Sequence, residues 1–205
     1  MNSSVIVVDN FYSDPDCVRE LALGDELVDP FSLSGNFAGR ESEYNYFSES
    51  IVESFEKILG TKIVVDEDSN AFGRFRFARA SDKRKTQIHF DNKDWSAVVY
   101  LSRNSPSGTG TIFVEHRRLN LVGPPVSKEE LQRYGCDNLN DFDRKYVLPD
   151  TLNPGAWATH LRVPFKYNRL VLFRGRKLFH GSEGLFGENR ADGRLTHNFF
   201  FDEAR

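Results

Sequence analysis

One short stretch, Gln87-Ile88-His89-Phe90-Asp91-Asn92, carries two metal-binding side chains at a spacing that brings them together. Read as a strand, it sends the His89 imidazole and the Asp91 carboxylate to one face and Ile88 and Phe90 to the other. A third ligand is needed, and His180 is the best candidate. It follows a strong apolar segment and precedes Gly181, where a side chain can leave a strand end and point into a cavity. Two histidines and one carboxylate on one face of an octahedron hold non-heme Fe(II) and leave positions for a co-substrate and dioxygen. Beyond His180, Arg194 opens the last apolar segment. Its guanidinium suits the far carboxylate of a metal-held keto acid such as 2-oxoglutarate, in a bidentate pair that lysine matches less well.

The rest of the chain must position these groups. Its 205 residues are enough for a full core, and 18 phenylalanines against one methionine favour pleated structure, where flat side chains pack well. A net charge of −3 gives no global reason to bind nucleic acid or an anionic membrane. Cys17 and Cys136 are too few for a disulfide framework or a zinc ribbon. The N-terminal Val5-Ile6-Val7-Val8 is short and lacks a basic flank, so it reads as a strand and not a signal peptide. No apolar run reaches membrane-spanning length, and a cytoplasmic setting is expected.

In order, Val5 to Val8 predicts a strand buried on both faces, and Ser13-Asp14-Pro15-Asp16 predicts a helix start with Val18, Leu21 and Ala22 as its apolar stripe. Gly24 to Asn45 reads as an ordered loop that closes over something. Ser48 to Leu59 has a helical apolar repeat stopped by Gly60. Thr61 to Asp66 and Phe72 to Ala80 read as strands; in the second, Phe75 and Phe77 face a core while Arg74 and Arg76 face solvent, unless one arginine lines an interior anion site. Trp95 to Leu101 and Thr109 to Glu115 read as a hairpin around Asn104-Ser105-Pro106-Ser107-Gly108. Arg117 to Lys166 interrupts the strands with a short helix near Ser127 to Leu131, and a segment of this length suits a lid or binding wall. Strands return at Asn168 to Arg174 and Leu195 to Asp202. Of the other histidines, His197 is expected in a core or cavity and His116 in a solvated loop.

The ordered set His89-Phe90-Asp91-Asn92, Trp95-Ser96-Ala97-Val98-Val99-Tyr100-Leu101, Gly110-Thr111-Ile112-Phe113, Asn168-Arg169-Leu170-Val171-Leu172-Phe173 and His180 resembles the Fe(II)/2-oxoglutarate-dependent oxygenases. Within them it is similar to the prolyl-hydroxylase-like branch and to an uncharacterised bacterial group with the same valine-rich strand and Asp-Asn-Phe turn. The resemblance implies a mainly β fold with flanking α-helices around a double-stranded β-helix (jelly-roll, cupin-like) core, as a single oxygenase domain over residues 1–205. Residues 1–60 would carry the N-terminal strand and helices, 61–116 and 167–205 the β-core, and 117–166 the insertion or lid. It implies His89, Asp91 and His180 as metal ligands, Arg194 as the 2-oxoglutarate anchor with Arg190 as runner-up, and Arg76 or Tyr100 as further co-substrate contacts. Fe(II), 2-oxoglutarate and O2 would then hydroxylate an unactivated C–H bond of a small molecule, amino acid or peptide, releasing succinate and CO2. Halogenating relatives replace the carboxylate ligand by a small residue; here Asp91 is present. Arg117, Arg118, Arg162 and Lys166 hint at an anionic substrate. Two alternatives stay open, a cupin-type metalloenzyme that does not use 2-oxoglutarate and a non-catalytic metal-binding barrel. Oligomeric state is not legible.

Overall fold

A computed structural model describes residues 4–28, 37–66 and 72–205. Among them the chain is mainly antiparallel β-structure, in two sheets with helices on their outer faces. The larger sheet runs β1 (Val5–Asp9), β9 (Arg169–Phe173), β6 (Trp95–Tyr100), β11 (Arg194–Glu203), β5 (Phe72–Ala78), β3 (Arg40–Ser42) and β2 (Leu27–Val28), with β4 (Ile63–Val64) on the far end of β11. The smaller sheet orders β10 (His180–Glu183), β7 (Gly110–His116) and β8 (Trp157–Pro164). Helices α1 (Pro15–Gly24) and α2 (Glu49–Leu59) belong to the first part of the chain, and α3 (Lys128–Arg133) and α4 (Leu139–Phe142) to the interval before β8.

Period-two alternation builds the layers. On β6, Trp95, Ala97 and Val99 face α1 and α2 with Phe75, Leu170, Leu172, Phe199 and Phe201, where Phe55 of α2 is fully buried. Val98 and Tyr100 face the smaller sheet, where they meet Phe113, Phe165, Val171 and Phe173. Ile112 and Val114 of β7 point outward again onto Leu131, Phe142, Val147 and Trp157. Burying each such phenylalanine contributes on the order of 1.5–3 kcal/mol. Gly60 ends α2 at φ 70°, in the left-handed region where only glycine is unstrained. Asp14 caps α1 by accepting the Cys17 N–H at 3.0 Å, as its Asp-Pro start predicts.

Several expectations change. Val5 to Val8 form an edge strand with Val7 44% exposed, because only one side of β1 finds a partner. Leu21 of α1 is likewise exposed. Strand character between Thr61 and Asp66 is confined to Ile63–Val64. β6 and β7 are no hairpin: β9 and β11 occupy both edges of β6, so the chain crosses to the other sheet. Residues 117–166 hold the short helix with a capping box between Ser127 and Glu130, but end in β8 along β7. Of the loop expected over Gly24 to Asn45, residues 29–36 lie outside the described residues.

Candidate metal centre

The His89 stretch is not a regular strand. Its backbone is divided among three neighbours: the Ile88 N–H reaches the Thr151 carbonyl at 3.2 Å, His89 and His180 exchange N–H···O bonds at 3.0 and 2.9 Å, and the Asp91 N–H reaches Gly175 at 3.0 Å. The alternation survives. His89 and Asp91 face the same cavity, and the single bridge sets His89 beside His180 at the start of β10.

The three ligand atoms lie within 4.8 Å of one another. His180 Nε2 stands 3.1 Å from Asp91 Oδ2, and His89 Nε2 stands 3.4 Å from Asp91 Oδ1. Each Nδ1 faces a carbonyl, that of Gln87 for His89 at 3.1 Å and that of Leu178 for His180 at 2.9 Å. A carbonyl only accepts, so each Nδ1 carries a proton and Nε2 is the atom turned toward Asp91, a donor to the carboxylate when the ring is protonated and a metal-binding lone pair when it is neutral. Burial opposes charge on Asp91, yet the positive charge and Nε2–H bonds of the protonated His180 and His89 rings hold its carboxyl well below the usual carboxylate range. Two oriented imidazoles and an ionised carboxylate fit a divalent first-row metal.

Two residues without a metal-binding type complete the site. Ser96 of β6, fully buried, donates a short hydrogen bond to Asp91 Oδ2. Gly175 packs against both: a Cβ there would overlap the Ser96 hydroxyl and press on the Asp91 carboxylate.

The triad lines one end of a cavity of about 140 Å³ between the sheets, with Arg76, Arg194, Thr111 and Asn198 also on its wall. Arg74 and Arg76 are therefore not on a solvated face: Arg74 is 4% exposed and donates to the Ser42 carbonyl, and Arg76 pairs with Glu41 at 3.2 Å. Burial pushes the Arg194 guanidinium down to about 10; Tyr100 opposes this, and Arg76 and Arg84 add to it. Tyr100 stacks on Phe165 and shares a 2.7 Å hydrogen bond with Thr111 Oγ1. Arg190 instead donates to the Ala22 and Asp25 carbonyls at the end of α1, away from the cavity.

Other expected contacts are not brought to this cavity. Arg117 donates to the Trp157 carbonyl, Arg118 lies over Tyr146, and Arg162 is held by Glu183 at 2.5 and 2.7 Å. Lys166 pairs with Asp9 at 2.7 Å. His116 is buried on β7 against Asp150 at 3.1 Å, not in a solvated loop, because β7 continues one residue further than its apolar run suggests. A larger groove of about 730 Å³ lies elsewhere, between residues 125–140 and 174–177, and no triad residue lines it.

No curated protein matches the sequence. Solved structures with a similar fold include a prolyl hydroxylase from Trichoplax adhaerens in complex with a hypoxia inducible factor peptide fragment (10% identity, TM-score 0.52, covering 98% of this chain and 84% of that one). The non-heme α-ketoglutarate-dependent carbocyclase SnoK from nogalamycin biosynthesis is 13% identical, with TM-score 0.54 over 97% of this chain and 79% of that one. HygX from Streptomyces hygroscopicus, solved with nickel and 2-oxoglutarate bound, is 13% identical, with TM-score 0.52 over 98% and 83%. At these identities the likeness is one of fold. A model of the family of unknown function DUF6445 matches residues 1–201, and the chain belongs to that family.

Proposed function

We propose that this protein is an Fe(II)- and 2-oxoglutarate-dependent oxygenase of the prolyl-hydroxylase-like branch, with its two sheets as the halves of a double-stranded β-helix. The observation that carries the reading is the His89, Asp91 and His180 donor set at one end of a cavity that also holds a buried arginine, Arg194. The fold shared with oxygenases of this class supports it.

When bound, the metal would supply the oxidative decarboxylation of 2-oxoglutarate coupled to attack on a C–H bond. The chain's own part is positioning. Ser96 fixes the Asp91 carboxylate, the Gln87 and Leu178 carbonyls fix the imidazoles, and Arg194 takes the far carboxylate of 2-oxoglutarate with Tyr100 and Thr111 beside it. The fully buried Tyr100 and the stacked Phe165 keep water from that end. Hydroxylation is the outcome we favour, since Asp91 keeps the carboxylate position filled. The substrate is a small molecule, amino acid or peptide.

Anaerobic titration of the metal-free protein with Fe(II) and then 2-oxoglutarate tests this reading. A visible metal-to-ligand charge-transfer band is expected in the wild type and absent in His180→Ala. Stoichiometric iron binding without a band would favour a cupin-type enzyme that does not use 2-oxoglutarate; no iron binding would leave a non-catalytic barrel.

A further inference from the structure

Four buried polar atoms without a hydrogen-bond partner among the described residues stand together on the cavity face of the larger sheet: Arg76 Nη2, Arg194 Nε, Thr196 Oγ1 and Asn198 Oδ1. Native proteins keep few such atoms, so a cluster of them marks a place where something polar binds. The strand register divides the cluster. Thr196 of β11 is opposite Tyr100 of β6 on one side and Arg76 of β5 on the other. The Tyr100 side, with Thr111 and Phe165, is where the co-substrate's far carboxylate meets Arg194 in the reading above. The β5 side is a separate corner. Asn198 sits diagonally from Arg76 there, and the Phe37 ring packs against both Arg76 and His89, 5.4 Å from the Arg76 guanidinium carbon and 4.8 Å from the His89 ring centre.

Two nitrogens of Arg76 are already committed, Nε to the Ala38 carbonyl at 3.1 Å and Nη1 to Glu41 at 3.2 Å. Nη2 is left as a directed donor. Glu41 balances Arg76, but among the described residues no carboxylate lies within ion-pair distance of Arg84 or Arg194, and Arg76 and Arg84 both stand close enough to Arg194 to act on its charge. One 2-oxoglutarate carboxylate on Arg194 would leave a positive excess. Val98, Leu185 and Phe200 give the cavity an apolar stretch of wall, with Thr86, Gln87 and Ser182 also on its lining.

We propose that Arg76 and Asn198 bind the primary substrate, not the co-substrate, and that this substrate is a carboxylic acid with an apolar body. Its carboxylate docks on Arg76 Nη2 beside Phe37, and its chain extends past the phenyl ring toward the triad. Arg76 is thereby removed from the co-substrate contacts that the sequence resemblance implies. The proposal rests on the oxygenase reading, and its test separates the two.

The protein is loaded with redox-inert Ni(II) and saturating 2-oxoglutarate, then screened by thermal shift and calorimetry against small aliphatic and aromatic carboxylic acids, each beside its primary amide. Because Arg76→Gln alone would leave the half-buried Glu41 without its partner, the Arg76→Gln/Glu41→Gln double variant is used, with its fold checked by circular dichroism. At least one acid should bind the wild type and its amide should not. The double variant should lose about tenfold or more in acid affinity while its 2-oxoglutarate affinity stays within about threefold. Arg194→Gln should lose 2-oxoglutarate. Equal binding of acids and amides, no acid binding to the loaded wild type, or loss of 2-oxoglutarate in the double variant would each overturn the proposal. Failure of the Ni(II)-loaded wild type to bind 2-oxoglutarate would sink the oxygenase reading itself.

Discussion

At the scale of single residues, Asp91, the candidate carboxylate ligand, is held by groups that have no metal-binding chemistry of their own. Ser96 donates to Asp91 Oδ2, the oxygen that also faces His180, and so chooses the carboxylate's rotation. Removing that donor in Ser96→Ala should weaken Co(II) or Ni(II) binding about tenfold or more by calorimetry, the range for lost outer partners of metal ligands. Unchanged affinity would mean that packing on Gly175 alone orients Asp91. His197 offers a different test. Its Nε2 donates to the Tyr46 carbonyl at 2.8 Å, so its Nδ1 accepts from the Tyr12 hydroxyl at 2.8 Å, an arrangement that only the neutral ring satisfies. Burial pushes its pKa down to about 4, below the 6.5 of the unfolded chain. Between those values the unfolded state binds the extra proton. The stabilisation is therefore complete above pH 6.5 and is lost as pH falls toward 4. Denaturant unfolding at pH 7 and 4.5 should show a loss smaller by about 2 kcal/mol in His197→Phe than in the wild type; equal losses would exclude His197 as the titrating group.

At the scale of elements, connections made across long sequence distances decide where the strands lie. Asn168, before β9, adopts φ 60°, and its side chain accepts the Tyr12 N–H at 2.8 Å and donates to the Tyr12 carbonyl at 2.9 Å. Its own carbonyl accepts the Phe11 N–H at 3.0 Å, and its N–H reaches Tyr100 at 2.8 Å. One residue thus ties the β1–α1 connection to the ends of β6 and β9. Asn168→Ala loses the side-chain pair and places a Cβ in a left-handed conformation, and should cost about 2–4 kcal/mol in chemical denaturation. Asn168→Gly removes the same bonds without the conformational strain and should fall between the two; an Ala variant no worse than Gly would deny the strain. Such ties explain what the sequence could and could not disclose. Helix α2 with its Gly60 stop, and the cores of β6, β9 and β11, were legible because each is written in a local period. The β6–β7 hairpin was misread because the true partners of β6 lie about 70 and 100 residues away, where no local pattern points. Arg74 and Arg76 alternate with phenylalanines as a solvated face would, and alternation alone cannot tell water from a ligand cavity. His89, Asp91, His180 and Arg194 were legible by residue type; Ser96, Gly175 and Phe37 were not, since serine, glycine and phenylalanine occur everywhere for other reasons.

At the scale of the whole molecule, the candidate site is where the two sheets are joined. His180 comes from the smaller sheet, Ser96 and Arg194 from the larger, and the His89 stretch is bonded to β10 through His180 and to the turn that follows β9 through Gly175. The unfolded chain has no such constellation, so whatever binds it stabilises the folded state by mass action. At about one hundred times its dissociation constant, a ligand adds about 2.7 kcal/mol. For a chain of this length that raises the melting temperature by roughly 5–10 °C. Order of addition separates the parts of the site. Ni(II) alone should give one increment, and 2-oxoglutarate a second one only after the metal, because its keto-acid end needs an ion to bind. Arg194→Met should keep the metal increment and lose most of the second, whereas His180→Ala should lose both. A shift by 2-oxoglutarate that is as large without metal as with it would place the anion at the arginines alone and detach it from the triad.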